Sequence, residues 1–394
     1  MFADRIDRIQ PSATLAMTSK AAELRAKGVD VINLSVGEPD FPTPQNIQNA
    51  AIKAMSDGFT RYTPGAGMMD LRQAAADKMK RDNNLDYAPK EIIVSCGAKH
   101  SLYNACQVLF QTGDEVIIFA PYWVSFPDFV SITGATPVFV NTDASNQFEP
   151  DFEDLTHQLT SNTKGIIINS PSNPTGGVWS DEAVKKVLTI AKENDLWVFS
   201  DECYEQLTYD VKYTSTATLT DDDSKILTFQ SCSKTYAMTG WRIGYTAGDA
   251  AVIKAMSKLQ GQSTSCPNSI AQVAAIEALS GDQSAVTEMR DAFKIRRGLI
   301  VNRLHSIEGV TCEMPGGAFY VFPEFKDYLG KSFNGEKINT SSDLSMYFLN
   351  EKAVVTVAGD SFGAPNNIRF SYAASEEELN NALDRVEDAL QNLV

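Results

Sequence analysis

Short apolar runs alternate with helical stretches along the chain from residue 45 to about residue 280. Each run has a core of β-branched, leucine or aromatic residues bounded by polar or turn-forming ones. Buried parallel strands have this pattern, and strands that alternate with helices indicate a parallel α/β sheet. A helix predicted at 181–194 lies between two of the runs, as a crossover connection does. The runs are EIIVS (91–95), DEVIIFA (114–120), KGIIINS (164–170), LWVFSD (196–201) and KILTFQS (225–231).

The pattern changes after a long helical stretch at about 285–306. Beyond it, GAFYVFPEF, AVVTVAG and NIRFSYA predict a smaller sheet, closed by an acidic helix that runs from Glu376 to the end. The first 44 residues are too short for a domain of their own, so we expect them to dock on this smaller sheet. A chain of 394 residues exceeds the usual size of one hydrophobic core. We therefore predict a large domain at 45–285 and a small domain built from 1–44 and 286–394.

The composition leaves the predicted fold unchanged and argues against some classes of binding partner. The formal net charge of −16 argues against nucleic acid, whose phosphates favour basic surfaces. No apolar run reaches membrane-spanning length, and the N-terminus lacks the apolar segment of a signal peptide. The 6 cysteines are scattered without a Cys-x-x-Cys pair, and the 3 histidines are dispersed, which favours free thiols and no metal site. We expect a soluble protein of the reducing cytoplasm.

Ligands of a parallel sheet bind beyond the carboxyl ends of its strands, so the residues that end each run are the candidates for ligand binding. One such end is SCSKTYAMTGWRIGY (231–245). A lysine reacts as a nucleophile when it is partly desolvated or close to other cations, and Arg242 follows Lys234 in this segment. Ser231 and Arg242 could clamp a phosphate beside that lysine. On this segment alone, a surface lysine at the end of a loop is the more common explanation.

A second strand end, SDECYEQL (200–207), carries an acid and a phenol. Asp201 is expected at the rim of the sheet or buried there, and a buried carboxylate requires a cationic partner. A protonated pyridine nitrogen is such a partner, because an acid in this position keeps a pyridoxal phosphate ring an electron sink. Tyr204 could reach the phenolic oxygen of the same ring. The simpler alternative is that Asp201 caps a following helix.

Two further strand ends lead into loops that suit ligand binding. NSPSNPTGG (169–177) is rich in proline and glycine, and Asn173 before Pro174 favours a turn that a cis peptide can form. SCGAKHSL (95–102) passes through Gly97 into a predicted helix, whose first amides favour an anion. Each could also be a plain connection. We read His100 in the second loop as an ordinary helix residue without a catalytic role.

These motifs stand together with PYW (121–123), VGEPDF (36–41) and RYTPGAG (61–67), and the combination is specific. In register along essentially the whole chain, they resemble the class I aminotransferases, which are pyridoxal-phosphate-dependent enzymes of fold type I. The resemblance is strongest to the bacterial subgroup Iβ of aspartate aminotransferases. It implies a mostly parallel seven-stranded sheet with helices on both faces, beside a smaller α+β domain.

The resemblance also assigns roles around pyridoxal phosphate. Lys234 would bind the cofactor covalently and move the proton of the reaction. Asp201 would pair with the pyridine nitrogen, and Trp123 would stack on the ring. Asn173 and Tyr204 would donate hydrogen bonds to the phenolic oxygen of the ring.

The phosphate group of the cofactor has its own set of residues in this resemblance. The residues that would hold it are Gly97, Ala98, Lys99, Ser231 and Arg242. Tyr62 would reach the phosphate bound by a neighbouring subunit, so the active unit should be a homodimer. The peptide bonds Ala120–Pro121 and Asn173–Pro174 are expected to be cis.

Recognition of the substrate is the second layer of the resemblance. Arg369 in NIRFSYA would bind the α-carboxylate, supported by Gly37, Trp123 and Asn173, although an arginine there could also be an exposed edge residue. Lys99 would bind a second, distal carboxylate, and Thr14 would close over the substrate. The alternative for Lys99 is that it only neutralises the cofactor phosphate.

The leading hypothesis is transfer of an amino group between L-aspartate or glutamate and a 2-oxo acid such as 2-oxoglutarate. Prephenate also carries a second carboxylate, so the pair of Thr14 and Lys99 could serve it too. Other hypotheses remain: an aminotransferase that prefers aromatic amino acids or alanine, and a synthase, lyase or decarboxylase on the same scaffold. A PLP-binding regulator of another class would need a DNA-binding segment, and the sequence has no basic helix-turn-helix region before the first motif.

Overall fold

The structure is a computed structural model that describes residues 2–9 and 13–394, without the side chains of residues 13–16, 18 and 143. The strands are β1 (Ile32–Asn33), β2 (Ile92–Ser95), β3 (Glu115–Ala120), β4 (Thr136–Asp143), β5 (Glu149–Pro150), β6 (Thr163–Asn169), β7 (Trp197–Asp201), β8 (Ile226–Ser231), β9 (Gly244–Ala247), β10 (Tyr320–Val321), β11 (Ser332–Phe333), β12 (Glu336–Lys337), β13 (Val354–Val355), β14 (Val357–Ala358) and β15 (Ile368–Ser371).

The helices alternate with these strands through most of the chain. They are α1 (Ala13–Ala26), α2 (Gln45–Ser56), α3 (Met69–Asn83), α4 (Ala98–Leu109), α5 (Phe126–Ser131), α6 (Phe152–Gln158), α7 (Asp181–Glu193), α8 (Cys232–Thr235), α9 (Ala250–Ser263), α10 (Ser269–Ser280), α11 (Ser284–His305), α12 (Ser341–Lys352) and α13 (Glu376–Gln391). None of the helices in the described ranges is long and apolar enough to cross a membrane.

The large sheet has the strand order β2-β9-β8-β7-β6-β3-β4-β5. Strands β3, β4, β6, β7 and β8 pair in parallel, whereas β9 runs antiparallel to both of its neighbours. This confirms the predicted mostly parallel sheet. The predicted seven strands are present, and the two-residue β5 adds an eighth at the edge. The apolar runs became β2, β3, β6, β7 and β8, and their residues are nearly all buried, as strands covered on both faces should be.

Helix α7 shows how a crossover covers this sheet. The hydroxyl of Ser180 accepts a hydrogen bond from the amide of Ala183, which caps the start of the helix. Its buried residues follow helical spacing along one face, and that face packs into the hydrophobic core of the sheet. The predicted helix at 181–194 is thereby confirmed, to within one residue at its end.

The smaller sheet comes from the C-terminal part of the chain and has three strands, with β15 between β10 and β14. Strand β1 of the N-terminal segment pairs in parallel with β13 in a separate two-stranded sheet, with Ile32 opposite Val354. Helix α13 begins with a capping box between Ser375 and Glu378 and carries its acidic residues in the first turn, where they favour a helix start. The N-terminal segment thus contacts the C-terminal part through the pairing of β1 with β13. The domain boundaries near residues 45 and 285 stay a prediction.

The parallel register brings the carboxyl ends of the strands to one edge. Asn169 of β6 lies opposite Asp201 of β7, and Ser231 of β8 lies opposite Gly244 of β9. Ser95, at the end of β2, also pairs with Gly244. The polar residues that end these strands are thus neighbours in space, although they are far apart in the sequence.

Candidate active site

A cavity of about 350 Å³ opens at this edge of the sheet. Its walls come from the strand ends on one side and from β15 and the loop after β1 on the other. The structure brings together most of the residues that the sequence predicted for the site. Those lining the cavity are Gly37, Ala98, Lys99, Trp123, Asn173, Asp201, Tyr204, Ser231, Lys234, Arg242 and Arg369.

The predicted phosphate site is the start of helix α4. Gly97 precedes the helix with φ of 86°, a conformation that favours glycine. A Cβ added to Gly97 would lie 2.6 Å from Nη2 of Arg242, so the guanidinium packs directly on the backbone there. The first amides of a helix have no partners within it, and together with the arginine they form a site for a dianion.

The hydroxyl of Ser231 completes this part of the cavity. It lies 2.9 Å from the hydroxyl of Ser233 and accepts a hydrogen bond from the Ser233 amide. Strand β8 ends at Ser231, and the one-turn helix α8 that follows it carries Lys234. The serine and the lysine are therefore positioned by the same turn of the chain.

Lys234 lies in the wall of the cavity and donates a hydrogen bond to the carbonyl oxygen of Gly37. Burial lowers the pKa of its amine to about 8, and the cations Arg242 and Arg369 also lower it, whereas Cys203 and Glu38 oppose the change. An ordinary lysine amine is almost fully protonated at neutral pH, whereas this one has an appreciable neutral fraction. Only the neutral amine is a nucleophile, so the surroundings suit covalent attachment.

Asp201 is 4% exposed, and burial raises its pKa to about 6. Hydrogen bonds from Cys203 and the charge of Lys234 limit that rise. The amide of Cys203 donates to Oδ1 of Asp201 at 3.2 Å, which forms a local turn rather than the helix cap that was the simpler alternative. A carboxylate buried at the floor of a cavity without a side-chain cation bonded to it fits the protonated nitrogen of a pyridine ring.

Asn169 orders the residues on either side of this acid. Its amide nitrogen donates to the carbonyl oxygen of Asp201 at 3.2 Å, and its side-chain oxygen accepts from the amide of Asn173 at 2.9 Å. The bonds Ala120–Pro121 and Asn173–Pro174 are cis, as predicted, and Ser170–Pro171 is cis as well. Asn173 is thereby held at the cavity beside Arg369.

Arg369 is buried, with 2% of its surface exposed. It donates hydrogen bonds to Oδ1 of Asn173 at 2.8 Å and to the carbonyl oxygen of Ser35 at 2.7 Å. Its Nε has no hydrogen-bond partner within residues 2–9 and 13–394, and the two hydrogen bonds described for the guanidinium both go to amide oxygens. A buried guanidinium that faces a cavity and is hydrogen-bonded only to amide oxygens suits the carboxylate of a ligand.

Lys99 brings a second cation to the same cavity. Its Nζ lies 5.0 Å from the centroid of the Trp123 ring. Burial lowers the pKa of Lys99, the charge of Arg242 lowers it further, and Asp128 opposes the change. The Trp123 ring is itself held edge-on by Phe126 and Phe129, so it forms a rigid wall on which a ring or a chain can lie.

Tyr62 is a predicted site residue that lies apart from this cavity in the single chain. It is 89% exposed, in the loop between α2 and α3. Thr14 belongs to helix α1, but its side chain lies outside the described residues. The backbone of Gly97 lies against the guanidinium of Arg242, and Gly97 itself does not line the cavity.

The sequence missed several polar residues of the wall, among them Ser125 and Tyr320. Tyr320 of β10 lines the cavity, and its hydroxyl lies 2.9 Å from that of Tyr204. Its ring centroid is 4.5 Å from the guanidinium carbon of Arg369. A hydroxyl in the otherwise apolar run GAFYVFPEF was the only available signal.

A helix start that suits an anion, a buried acid at the floor of the cavity and a lysine with a lowered pKa are together typical of a pyridoxal-phosphate-dependent enzyme. Residues 29–386 match the family described as aminotransferase class I and II. The chain belongs to this family, and it is an aminotransferase. The resemblance found in the sequence is confirmed.

Curated relatives and solved structures agree over nearly the whole length. The probable aspartate/prephenate aminotransferase of Rhizobium leguminosarum is 45% identical over 390 residues, covering 98% of each chain. The aspartate aminotransferase of Geobacillus stearothermophilus is 46% identical over 387 residues, again covering 98% of each. The crystal structure of the aspartate aminotransferase from Rhizobium meliloti superposes with a TM-score of 0.96 at 40% identity, covering 100% of both chains. That of the Thermus thermophilus enzyme with maleate gives 0.93 at 39% identity, covering 99% of both chains.

Proposed function

We propose that the protein transfers the amino group of L-aspartate or glutamate to a 2-oxo acid such as 2-oxoglutarate. The observation that carries this proposal is Arg369, a buried guanidinium with an unpaired Nε, in the same cavity as Lys99. A dicarboxylic amino acid supplies one carboxylate for each cation. Relatives 43–46% identical to the chain are named aspartate aminotransferases, which agrees with this substrate class.

The residues of the cavity fit the cofactor part by part. Asp201 would hold the pyridine nitrogen, Trp123 would cover the ring face, and Asn173 and Tyr204 would bind the phenolic oxygen. The phosphate would lie on Gly97, Ala98, Lys99, Ser231 and Arg242. When bound, pyridoxal phosphate supplies an electron sink that stabilises negative charge at the α-carbon of the amino acid.

Lys234 would be the residue that moves the proton of the reaction. With a pKa of about 8, its amine can both accept and return a proton at neutral pH. The carbonyl oxygen of Gly37 accepts a hydrogen bond from its Nζ and so limits where the amine can point. Lysine, acid and the two substrate cations therefore have separate tasks.

Binding of a dicarboxylate would also bring the two sides of the cavity together. Lys99 stands on the large sheet side, at the start of α4, and Arg369 stands on β15 of the smaller sheet. A substrate bridging them would favour a closed state that excludes water. We expect Thr14 to take part in this closure. The proposed division at residues 45 and 285 places the cavity between the two domains.

Prephenate is the proposed further acceptor. It carries two carboxylates, so the same pair of cations could bind it. Relatives from Rhizobium leguminosarum and Aquifex aeolicus carry the name probable aspartate/prephenate aminotransferase at 45% and 42% identity. The alternatives are a preference for aromatic amino acids or alanine, with Lys99 acting on the cofactor phosphate alone.

The active unit is proposed to be a homodimer in which Tyr62 reaches the phosphate bound by the other subunit. The exposed phenol has exposed apolar neighbours on the adjoining helices: Ile52 and Met55 on α2, Phe59 in the loop and Met69 on α3. An exposed apolar surface of this kind marks a protein interface. The cysteines of the chain are free, which supports a reducing compartment such as the cytoplasm.

The test is the rate of the first half-reaction with a panel of amino donors. Aspartate, glutamate, alanine, phenylalanine and arogenate would each be mixed with the holoenzyme while the absorbance of the cofactor is followed. We expect aspartate and glutamate to react far faster than alanine or phenylalanine, and arogenate to react if prephenate is a substrate. A wide preference for alanine or phenylalanine would contradict the dicarboxylate proposal, and no change with any donor would contradict transamination.

A further inference from the structure

Two tyrosine hydroxyls meet in the wall of the cavity. Tyr204 follows strand β7, Tyr320 belongs to β10, and their oxygen atoms lie 2.9 Å apart. Both residues are buried, and both line the cavity. Tyr320 has no role in the proposed function, although it is the only side chain that the described hydrogen bonds place on the hydroxyl of Tyr204.

The direction of this hydrogen bond follows from the number of hydrogens. A phenol has one hydrogen to donate and lone pairs that accept. If Tyr204 donates its hydrogen to the phenolic oxygen of the cofactor, it can only accept from Tyr320. Burial raises the pKa of both phenols, and the charge of Arg369 limits the rise for each of them. With the hydrogen of Tyr204 directed to the cofactor, Tyr320 is the donor of the pair.

The position of Tyr320 is set from two further sides. The guanidinium of Arg369 lies over its ring at 4.5 Å from the centroid, a cation–π contact. A Cβ at Gly37 would come within 3.0 Å of its hydroxyl oxygen, so the glycine leaves the room that the hydroxyl occupies. The phenol of Tyr320 thus lies between Arg369, which is proposed to bind the substrate, and Tyr204, which is proposed to bind the cofactor.

We propose that Tyr320 is a positioning residue that donates its hydrogen to Tyr204 and so directs the hydrogen of Tyr204 to the phenolic oxygen of the cofactor. The inference rests on the proposed function, because it requires Tyr204 to bind that oxygen. Hydrogen bonds in series polarise one another, so the donor strength of Tyr204 depends on Tyr320. Arg369, whose charge acts on Tyr320, is thereby linked to the electron density of the ring through two phenols.

The test is a pH titration of the visible absorbance of the holoenzyme in the absence of substrate, comparing wild type with Tyr320→Phe. In the holoenzyme, a hydrogen bond to the phenolic oxygen of the cofactor withdraws electron density from the ring and so lowers the pKa of the nitrogen that Lys234 contributes. A weaker hydrogen bond should therefore raise the midpoint of the titration by roughly half a pH unit. The phenylalanine ring keeps the contact with Arg369, so kcat should fall several-fold while KM for aspartate changes little.

The matched control is Tyr372→Phe. Tyr372 is equally buried, and its hydroxyl donates to the carbonyl oxygen of Ala318 at 3.1 Å, which also accepts from Tyr209. This variant removes a buried hydroxyl from the same core without touching the cavity lining, and its midpoint should equal that of the wild type. An unchanged midpoint in Tyr320→Phe, or an equal change in both variants, would overturn the proposal.

A second measurement covers the case in which Tyr320→Phe does not retain the cofactor. Replacing Tyr320 by 3-fluorotyrosine keeps the hydroxyl but makes it a stronger acid, so the midpoint should move below that of the wild type. A midpoint that stays or rises would overturn the proposal. Failure of the proposed function looks different, because the wild-type protein incubated with pyridoxal phosphate would then show no titrating band at all.

Discussion

The guanidinium of Arg369 donates a hydrogen bond of 2.8 Å to the side-chain oxygen of Asn173. This contact joins β15 of the smaller sheet to the loop that follows β6 of the large one, so the cavity between them has a fixed corner. The guanidinium can still donate a hydrogen bond, because Nε of Arg369 has no partner within the part of the chain that the structure describes. A carboxylate that enters the cavity meets a cation already aligned for it.

Arg369→Lys should reduce kcat/KM for every amino acid substrate, by roughly 100-fold, because an ammonium cannot reproduce the planar fork of a guanidinium. The loss should be similar for dicarboxylic and monocarboxylic donors, since both carry the α-carboxylate. Steady-state kinetics with aspartate and alanine would measure it. A loss confined to aspartate would mean that Arg369 binds the distal carboxylate instead.

Lys99→Ala should raise KM for aspartate roughly 10-fold or more and leave KM for alanine nearly unchanged, because only aspartate has a distal carboxylate for this ammonium. Lys186→Ala is the matched control, since the Lys186 ammonium lies 3.9 Å from the centroid of the Phe152 ring, away from the cavity. Equal effects of Lys99→Ala on the two substrates, with weaker cofactor binding, would point to the phosphate role alone.

Lys234→Ala should lose the absorption band of the covalently bound cofactor and nearly all turnover. Lys225 provides the control, because it precedes strand β8 while Lys234 follows it, and its Nζ pairs with Asp195 instead of facing the cavity. Absorbance spectra and turnover of the two alanine variants would be compared. If Lys234→Ala kept both the band and the activity, the attachment site would have to be another amine.

Gly97→Ala should weaken binding of pyridoxal phosphate, because the added Cβ would lie 2.6 Å from Nη2 of Arg242 and displace the guanidinium. Gly113→Ala separates this clash from backbone strain: Gly113 has φ of 97°, but a Cβ there would meet no atom within 4 Å. Both variants should lose some thermal stability, and only Gly97→Ala should show a higher Kd for the cofactor in reconstitution titrations. Equal Kd values would show that Arg242 adjusts without cost.

Asp201→Asn should stabilise the cofactor-free protein at pH 8. Burial raises the pKa of Asp201 from 3.8 to about 6, so the folded chain holds the proton more tightly than the unfolded one. The carboxylate therefore lowers stability progressively as pH rises from about 4 to about 6, with a full cost on the order of 2–3 kcal/mol above that range. Thermal unfolding should show the variant to be more stable than wild type at pH 8 and equal to it near pH 4.

Asp210→Asn is the control of opposite sign for this experiment. Hydrogen bonds from Lys294 and Arg297 lower the pKa of Asp210, so its ionised form favours the folded state. That variant should be less stable than wild type at pH 8, and the difference should fade in acid. A loss of stability at pH 8 in Asp201→Asn as well would contradict a destabilising buried carboxylate.

The sequence was sufficient for the strands whose buried residues are mostly large and apolar. Apolar runs marked β2, β3, β6, β7 and β8, whereas β4 and β9 left no clear pattern. GYTA in β9 is short and carries small and polar residues, although it is fully buried. Strand β4 lies next to the edge, where Phe139 is 40% exposed and the alternation is blurred. A local pattern predicts a strand well when its buried residues are large and apolar, and poorly when they are small or polar or when part of the strand is exposed.

The candidate site was predictable to the extent that its chemistry stands at strand ends. Asp201 and Lys234 each follow a recognisable strand, so topology alone brings them together. The position of Tyr320 was not predictable, because its contact with Tyr204 joins residues 116 positions apart and depends on how two sheets pack. The proposed role of Tyr62 rests on the resemblance alone, because it involves a second copy of the chain.

The segment after β1 has a consequence for the order in which the enzyme is assembled during synthesis. The carbonyl oxygen of Ser35 binds Arg369 across 334 residues, and that of Gly37 binds Lys234 across 197 residues. Ser35 leaves the ribosome long before Arg369, its partner, is synthesised. The lysine half of the site can therefore mature while translation continues, whereas the carboxylate-binding half is completed only after Arg369 has emerged. A nascent or truncated chain would thus be expected to take up cofactor before it can select a substrate.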